Sequence, residues 1–200
     1  MAVARDAVQS PDAERRFLLT GVPWPTYVSL RDTLESSRVQ MTYLAGSLEL
    51  MSPSKLHEEE SKLIARLLEA WAEEHDVDLR GFKSTTFKSE TQVRGAEPDE
   101  CYTIGPIAAD GLPQIAIEVI VSSPLLDKLE VYAGLGVAEV WIWHSPSRNF
   151  AVHRLLGGRC EAIAASHVLP ALDLGLLASF VRSGENQTAL VKSYRAALRA

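Results

Sequence analysis

The sequence predicts an α/β domain with a central mixed β-sheet flanked by helices. Three observations carry this. Leu63, Ile64, Leu67, Leu68 and Trp71 recur at helical spacing and mark one face of a helix. The run Gln114–Val121, QIAIEVIV, is apolar on both faces, as a strand near the centre of a sheet is. The segments follow in the order helix, hairpin, helix, strands, helix, strands, which is neither all-α nor all-β.

Taken in order, residues 1–24 are polar and punctuated by prolines, and are expected to form a flexible lead-in to a domain spanning 25–183. Thr26–Ser36 reads as a short helix. Val39–Leu44 and Leu48–Met51 read as a hairpin around Ala45-Gly46-Ser47, where glycine supplies the turn conformation. Ser52-Pro53-Ser54 offers caps for the clearest helix, and Glu58, Glu59 and Glu60 place negative charge in its first turns, where the helix dipole favours it. Strands are expected at Val77–Phe82, Thr85–Lys88, Asp99–Ile104 and Gln114–Val121, with breaks at Gly95 and Gly111. A helix follows Ser122-Ser123-Pro124 and ends near Gly134–Gly136, a strand covers Val137–Trp143, and a hairpin turns at Gly157-Gly158. The chain from Leu174 holds one or two helices, with residues 184–200 as a helical tail.

Composition narrows the function. Apolar residues make up 46% and charged residues 23%, which excludes disorder for the body of the chain. Twenty basic residues against 26 acidic give a net charge of −6, which argues against a broad non-specific nucleic-acid binder while leaving room for a local basic groove. Cys101 and Cys160 lie far apart, so the usual structural zinc spacing is missing. No apolar run approaches the roughly 20 residues of a membrane span, and MAVARDAVQSPDAERR lacks the apolar stretch of a signal peptide. A cytoplasmic protein without membrane partners is expected.

Chemistry gathers at three places. Glu118 interrupts the apolar run of its strand, and a buried carboxylate costs several kcal/mol unless a partner or metal offsets it. It is either a metal ligand or catalytic acid, or half of a structural ion pair. Asp99 stands nineteen residues upstream of it, and Pro98 fixes the entry to a strand on which Asp99 points the same way as Cys101 and Thr103. An acidic turn facing solvent is the alternative for that segment. Lys128 falls on the apolar stripe of Leu125, Leu129, Tyr132 and Ala133, from which it either snorkels outward or reaches Glu118. Convergence of Asp99, Glu118 and Lys128 would offer two hard carboxylates for Mg²⁺ or Mn²⁺ and an ammonium for phosphate charge.

A Pro-Asp pair, a strand acid about twenty residues on and a following lysine resemble the PD-(D/E)XK nuclease superfamily. More closely, LAGSLELMSPSKLHEEESKLIARLLEAW, GFKSTTFKSETQVRGAEPDECYTIG, IAIEVIVSSPLLDKLEVYAGLGVAEVWIWH and SHVLPALDLGLLASFV resemble the Uma-two family of restriction-endonuclease-like proteins, over about residues 38–181. The resemblance implies a restriction-endonuclease-like core and an Mg²⁺-dependent endonuclease acting on DNA. Asp99 and Glu118 would be its metal-binding acids, Lys128 its catalytic lysine, and His57 and Glu49 supporting residues. Glu49 alternates with Leu48 and Leu50 and is expected on a solvated strand face. The superfamily's lysine two residues after the strand acid is Ile120 here. The alternative is a nuclease fold that has lost catalysis and serves as a nucleic-acid-binding or protein-interaction module. Cutting both strands of a duplex at once needs two sites, which a homodimer would supply.

Overall fold

Eleven strands and five helices form among the residues that the computed structural model describes, which are 13–35, 37–82, 85–106 and 111–200. The first half contains β1 (Arg15–Thr20), α1 (Trp24–Thr33), β2 (Gln40–Leu44), β3 (Ser47–Ser52), α2 (Lys55–Glu74), β4 (Leu79–Gly81), β5 (Phe87–Ser89) and β6 (Arg94–Ala96). The second contains β7 (Glu100–Ile104), β8 (Ile115–Ile120), α3 (Lys128–Leu135), β9 (Glu139–His144), β10 (Asn149–Leu156), β11 (Arg159–Ile163), α4 (Leu174–Phe180) and α5 (Gln187–Leu198). They build two sheets, ordered β1-β3-β2-β6-β5 and β11-β10-β9-β8-β7-β4. Strand pairs are antiparallel except β8 with β9, which are parallel and joined through α3. The sheet is therefore mixed, as expected, and β8 lies inside it with neighbours on both sides.

The alternation of β8 explains the layering. Ile115, Ile117 and Val119 face α2, α4 and α5, and join Leu63, Ile64, Leu67, Leu68, Trp71, Trp141, Trp143 and Tyr194 in the largest core. Ala116 faces the other way and joins Val131, Tyr132, Leu135 and Val140 beneath α3. Glu118 is on this second face. A smaller core of Tyr27, Met41, Tyr43 and Leu48 seats α1 on the first sheet.

The chain changes sheets between β6 and β7, through Glu97-Pro98-Asp99. Glu97 is buried there, accepting hydrogen bonds from Arg31 Nη1 at 2.7 Å, Thr86 Oγ1 at 2.7 Å and the Met41 amide at 3.0 Å.

Four sequence expectations need correction. Residues 15–24 are not lead-in, because Arg15–Thr20 pairs with Ser47–Ser52 as β1 and α1 begins at Trp24; residues 1–12 lie outside the described residues. Gly95 is not a break but the centre of β6, where an added Cβ would run into the Tyr27 hydroxyl. The helix after Ser122-Ser123-Pro124 starts only at Lys128, capped by Asp127, whose carboxylate accepts the Glu130 amide at 3.1 Å. Leu125 thus lies before the helix and is exposed. The 184–200 segment is no separate tail, since Leu190 and Tyr194 of α5 are buried in the same core as α2.

Candidate active site

Asp99 and Glu118 come together because of strand register. β7 and β8 pair Tyr102 with Ile115, Cys101 with Ala116 and Glu100 with Ile117. Continuing this ladder by one step puts Asp99 opposite Glu118, and opposed residues of an antiparallel pair share a face. Both side chains are buried, at 2% and 1% exposure. Lys128, 8% exposed, begins α3 and directs its Nζ to Glu118 Oε2 at 2.5 Å. The Tyr132 hydroxyl, one helical turn on, donates to the other oxygen, Oε1.

Asp99 is held by different groups. The Val119 amide donates to its Oδ2 at 2.7 Å. Its Oδ1 is 2.7 Å from both Gln40 Nε2 and His57 Nε2. His57 sits in the first turn of α2, where Ser54 Oγ accepts its amide at 3.2 Å, so the helix cap aims the ring. The other ring nitrogen, Nδ1, is 2.9 Å from Glu14 Oε2.

A second ring of charges lies over the first. Glu14 also bonds Arg16 at 2.9 Å and accepts from Ser122 Oγ. Arg16 binds Glu49, and Glu49 Oε2 accepts the Leu125 and Leu126 amides at 2.8 and 2.9 Å. The expectation of a solvated Glu49 is therefore wrong. It is buried, and it staples the extended segment before α3 to β3. The carboxylates of Glu14, Glu49, Asp99 and Glu118 are thus interleaved with Arg16, His57 and Lys128.

This arrangement shifts proton affinities. Burial pushes Asp99 up, but the His57 charge and hydrogen bond outweigh it and hold the carboxyl at about 2. Burial alone would lower His57, yet Asp99 and Glu14 raise it to about 10. Glu14 is likewise held at about 2, where His57, Ser122 and Arg16 overcome its desolvation. Burial and the nearby Asp99 charge push Glu118 upward against the pull of Lys128 and Tyr132. Lys128, which burial would lower, is raised by Glu118 and Asp99.

The His57 shift has a consequence for the metal-free protein. A histidine whose folded pKa lies above its unfolded value of about 6.5 contributes its full stabilisation below that pH. The contribution disappears as pH rises through about 10. Asp99 and Glu14 act with the opposite sign, their contribution being present above about 4 and lost as pH falls. The unfolding free energy read from urea titrations is therefore expected to be highest near pH 5–6 and to decline toward pH 10, by about a few kcal/mol in all. In His57→Gln the alkaline decline should vanish. An unchanged decline in that variant would show that His57 is not held charged.

Of the sequence candidates, Asp99, His57 and Glu49 enter one buried network of hydrogen bonds and ion pairs, and Glu118 and Lys128 form a second buried group beside it, coupled to Asp99 through charge. Glu14, Arg16, Gln40 and Ser122 join the first without having been singled out. The Lys128–Tyr132 pair at i, i+4 was the legible signal for a two-point hold on Glu118, but Tyr132 reads as a plain apolar position.

The donor set suits a hard divalent cation. Its candidate ligands are oxygens, and among the described residues the buried Oε1 of Gln40 has no hydrogen-bond partner although its own Nε2 holds Asp99. Among the described residues no three His, Cys, Asp or Glu form a ready-made metal cage. The chain's own cations hold the carboxylates instead.

A family model described as "Putative restriction endonuclease", Uma2, matches residues 24–180. The chain belongs to the Uma2 family. The Uma2 match takes in α1 through α4 and so includes the residues of the site except Glu14 and Arg16. A crystal structure described as a "putative nuclease belonging to DUF820", from Anabaena variabilis ATCC 29413, is similar at 16% identity, covering 78% of this chain and 90% of that chain with a TM-score of 0.43. No curated protein is a significant match. No helix among the described residues is long and apolar enough to cross a membrane.

Proposed function

We propose that this Uma2 protein is an Mg²⁺-dependent endonuclease that hydrolyses DNA phosphodiester bonds, with Asp99 and Glu118 holding the metal and Lys128 beside them. One observation carries the reading: two buried carboxylates take facing positions at neighbouring strands, and a lysine from the next helix pairs with one of them and lies close enough to the other to lower its proton affinity. Such carboxylates suit Mg²⁺ or Mn²⁺ rather than Zn²⁺, because no cysteine cluster accompanies them.

When bound, the cation supplies Lewis-acid polarisation of the scissile phosphate and makes the attacking water more acidic. The chain does the rest. Val119 and His57 fix both oxygens of Asp99, so its carboxylate does not have to be ordered when substrate arrives. Tyr132 holds one oxygen of Glu118 in place. The Lys128 ammonium, already desolvated, offsets the negative charge that develops on the phosphate.

The test is cleavage of supercoiled plasmid with Mg²⁺ or Mn²⁺. Asp99→Ala is expected to lower the rate by about 100-fold or more, the usual cost of losing one preorganised charged group. It should also lose Mn²⁺ binding in calorimetry. Cleavage at wild-type rate in Asp99→Ala would discard the assignment. Ile120 in the superfamily's lysine position favours a second reading, a binding module without catalysis. DNA binding by the wild type with no cleavage under any divalent cation would select it.

A further inference from the structure

Asp99 and Glu118 are both buried in this structure. Next to the His57 that holds Asp99 lie Glu14, just before β1, and Arg16, within it, whose side chains are only 2% and 6% exposed although β1 is an edge strand that pairs, among the described residues, with β3 alone. Glu14 bridges His57 Nδ1, Ser122 Oγ and Arg16. Arg16 bridges Glu14 and Glu49, and its Nε is 3.3 Å from Ser122 Oγ.

The rest of β1 faces outward. Phe17, Leu18 and Leu19 are 61%, 42% and 44% exposed, so the strand gains little from apolar burial. Its attachment rests on the ladder with β3 and on the Glu14 and Arg16 contacts. Segments with few buried apolar contacts open at a fraction of the global unfolding free energy. β8 and β9, buried on both faces, lie at the other extreme.

Resting on the reading of Asp99 and Glu118 as the cation site, we propose that the Glu14–Arg16 segment, which leads into β1, is an autoinhibitory strap. The Arg16 guanidinium occupies a cation position between Glu14 and Glu49. The site loads metal and substrate only when this segment peels away from β3. Release leaves Glu49 and His57 each short of one partner and turns both toward the newly opened space.

A reversible staple tests this in the full chain. Arg15 lies opposite Ser52 across β1 and β3, both are exposed, and neither touches the network. Opposed Cα atoms in an antiparallel pair are about 4.5–5.5 Å apart, within disulfide range. In Arg15→Cys/Ser52→Cys, the reduced protein is expected to bind Mn²⁺ as the wild type does. Oxidation should weaken binding by about 10-fold or more, and reductant should restore it. Wild type carried through the same oxidation controls for Cys101 and Cys160.

Equal Mn²⁺ affinity in the oxidised and reduced forms would overturn the strap. If Mn²⁺ binding is absent, or is indifferent to Asp99→Ala, it is the cation-site reading that fails. The strap is then decided by hydrogen exchange of the wild type. Amides of residues 15–20 exchanging well before those of β8 and β9 support it. Exchange only together with β8 and β9 overturns it.

Discussion

Lys128→Met is expected to cost about 3–5 kcal/mol of folding stability, the usual penalty for removing one partner of a buried ion pair. A lysine that merely packed along α3 would make this change nearly silent, because methionine keeps the stem's contacts. Here the ammonium lies 2.5 Å from a carboxylate with 1% exposure, and its removal leaves Glu118, among the described residues, with the Tyr132 hydroxyl alone. Glu118→Leu alone should cost a similar amount by stranding Lys128. The double variant Glu118→Leu/Lys128→Met should recover most of the loss, since apolar replacement of a whole buried pair is often close to neutral. Urea denaturation of the three variants closes the cycle. A Lys128→Met protein within about 1 kcal/mol of wild type would mean the pair is not the buried unit described. The cycle also governs how activity is read, because a rate measured on Lys128→Met reports folding and charge together. Lys128→Arg keeps the charge and is the cleaner comparison.

Glu139→Leu should be comparably damaging, at about 3–5 kcal/mol, for a reason remote from the site. Glu139 opens β9 fully buried. Its Oε2 accepts from Trp141 Nε1 at 3.0 Å and Ser166 Oγ at 2.7 Å, and its Oε1 accepts the His167 and Val168 amides at 2.6 and 3.1 Å. Leucine leaves all four donors without this acceptor, and each buried orphan costs about 1–3 kcal/mol. The segment after β11 that leads into α4 then loses its anchor on the sheet. A lowered urea midpoint should come with faster hydrogen exchange at His167 and Val168. Glu139→Gln retains one acceptor oxygen and should lose less. Wild-type stability in Glu139→Leu would mean that the Ser166–Val168 turn is held by other contacts.

What the sequence made legible was whatever obeyed a period. The helical stripe of α2 and the doubly apolar β8 stood out, and Glu118 stood out because it broke that run. β1 was missed because its pattern is inverted. Glu14, just before it, and Arg16 point inward while Phe17 and Leu19 face solvent, so a reading that equates apolar with buried sees no strand. β6 was missed because glycine signals both turns and close packing, and only the position of Tyr27 decides between them. The start of α3 was misplaced because Ser122-Ser123-Pro124 resembles a cap, whereas Glu49, more than 70 residues away in sequence, takes the Leu125 and Leu126 amides and holds that stretch extended. Glu49 seemed solvated for the same reason: its partners belong to segments that nothing local connects to it. Asp99, Glu118 and Lys128 were found by motif, while the residues that close over them follow none.

The passage of the chain from one sheet to the other at Glu97-Pro98 makes the site a joint rather than a fixture. Gln40, Glu49 and Arg16 ride on the first sheet, whereas Asp99 and Glu118 ride at or on the second. The separation of the two halves is therefore set by the dihedral between two slabs of backbone. Glu97 is the pin of that joint, tying the crossing point to α1 through Arg31 and to β2 through the Met41 amide. A misplacement of about 1 Å at a reacting centre is enough to cost about 100-fold in rate. On the proposed reading of Asp99, the geometry of the site therefore depends on the seating of α1, whose Tyr27 stacks on Tyr43 of β2 far from any reacting atom.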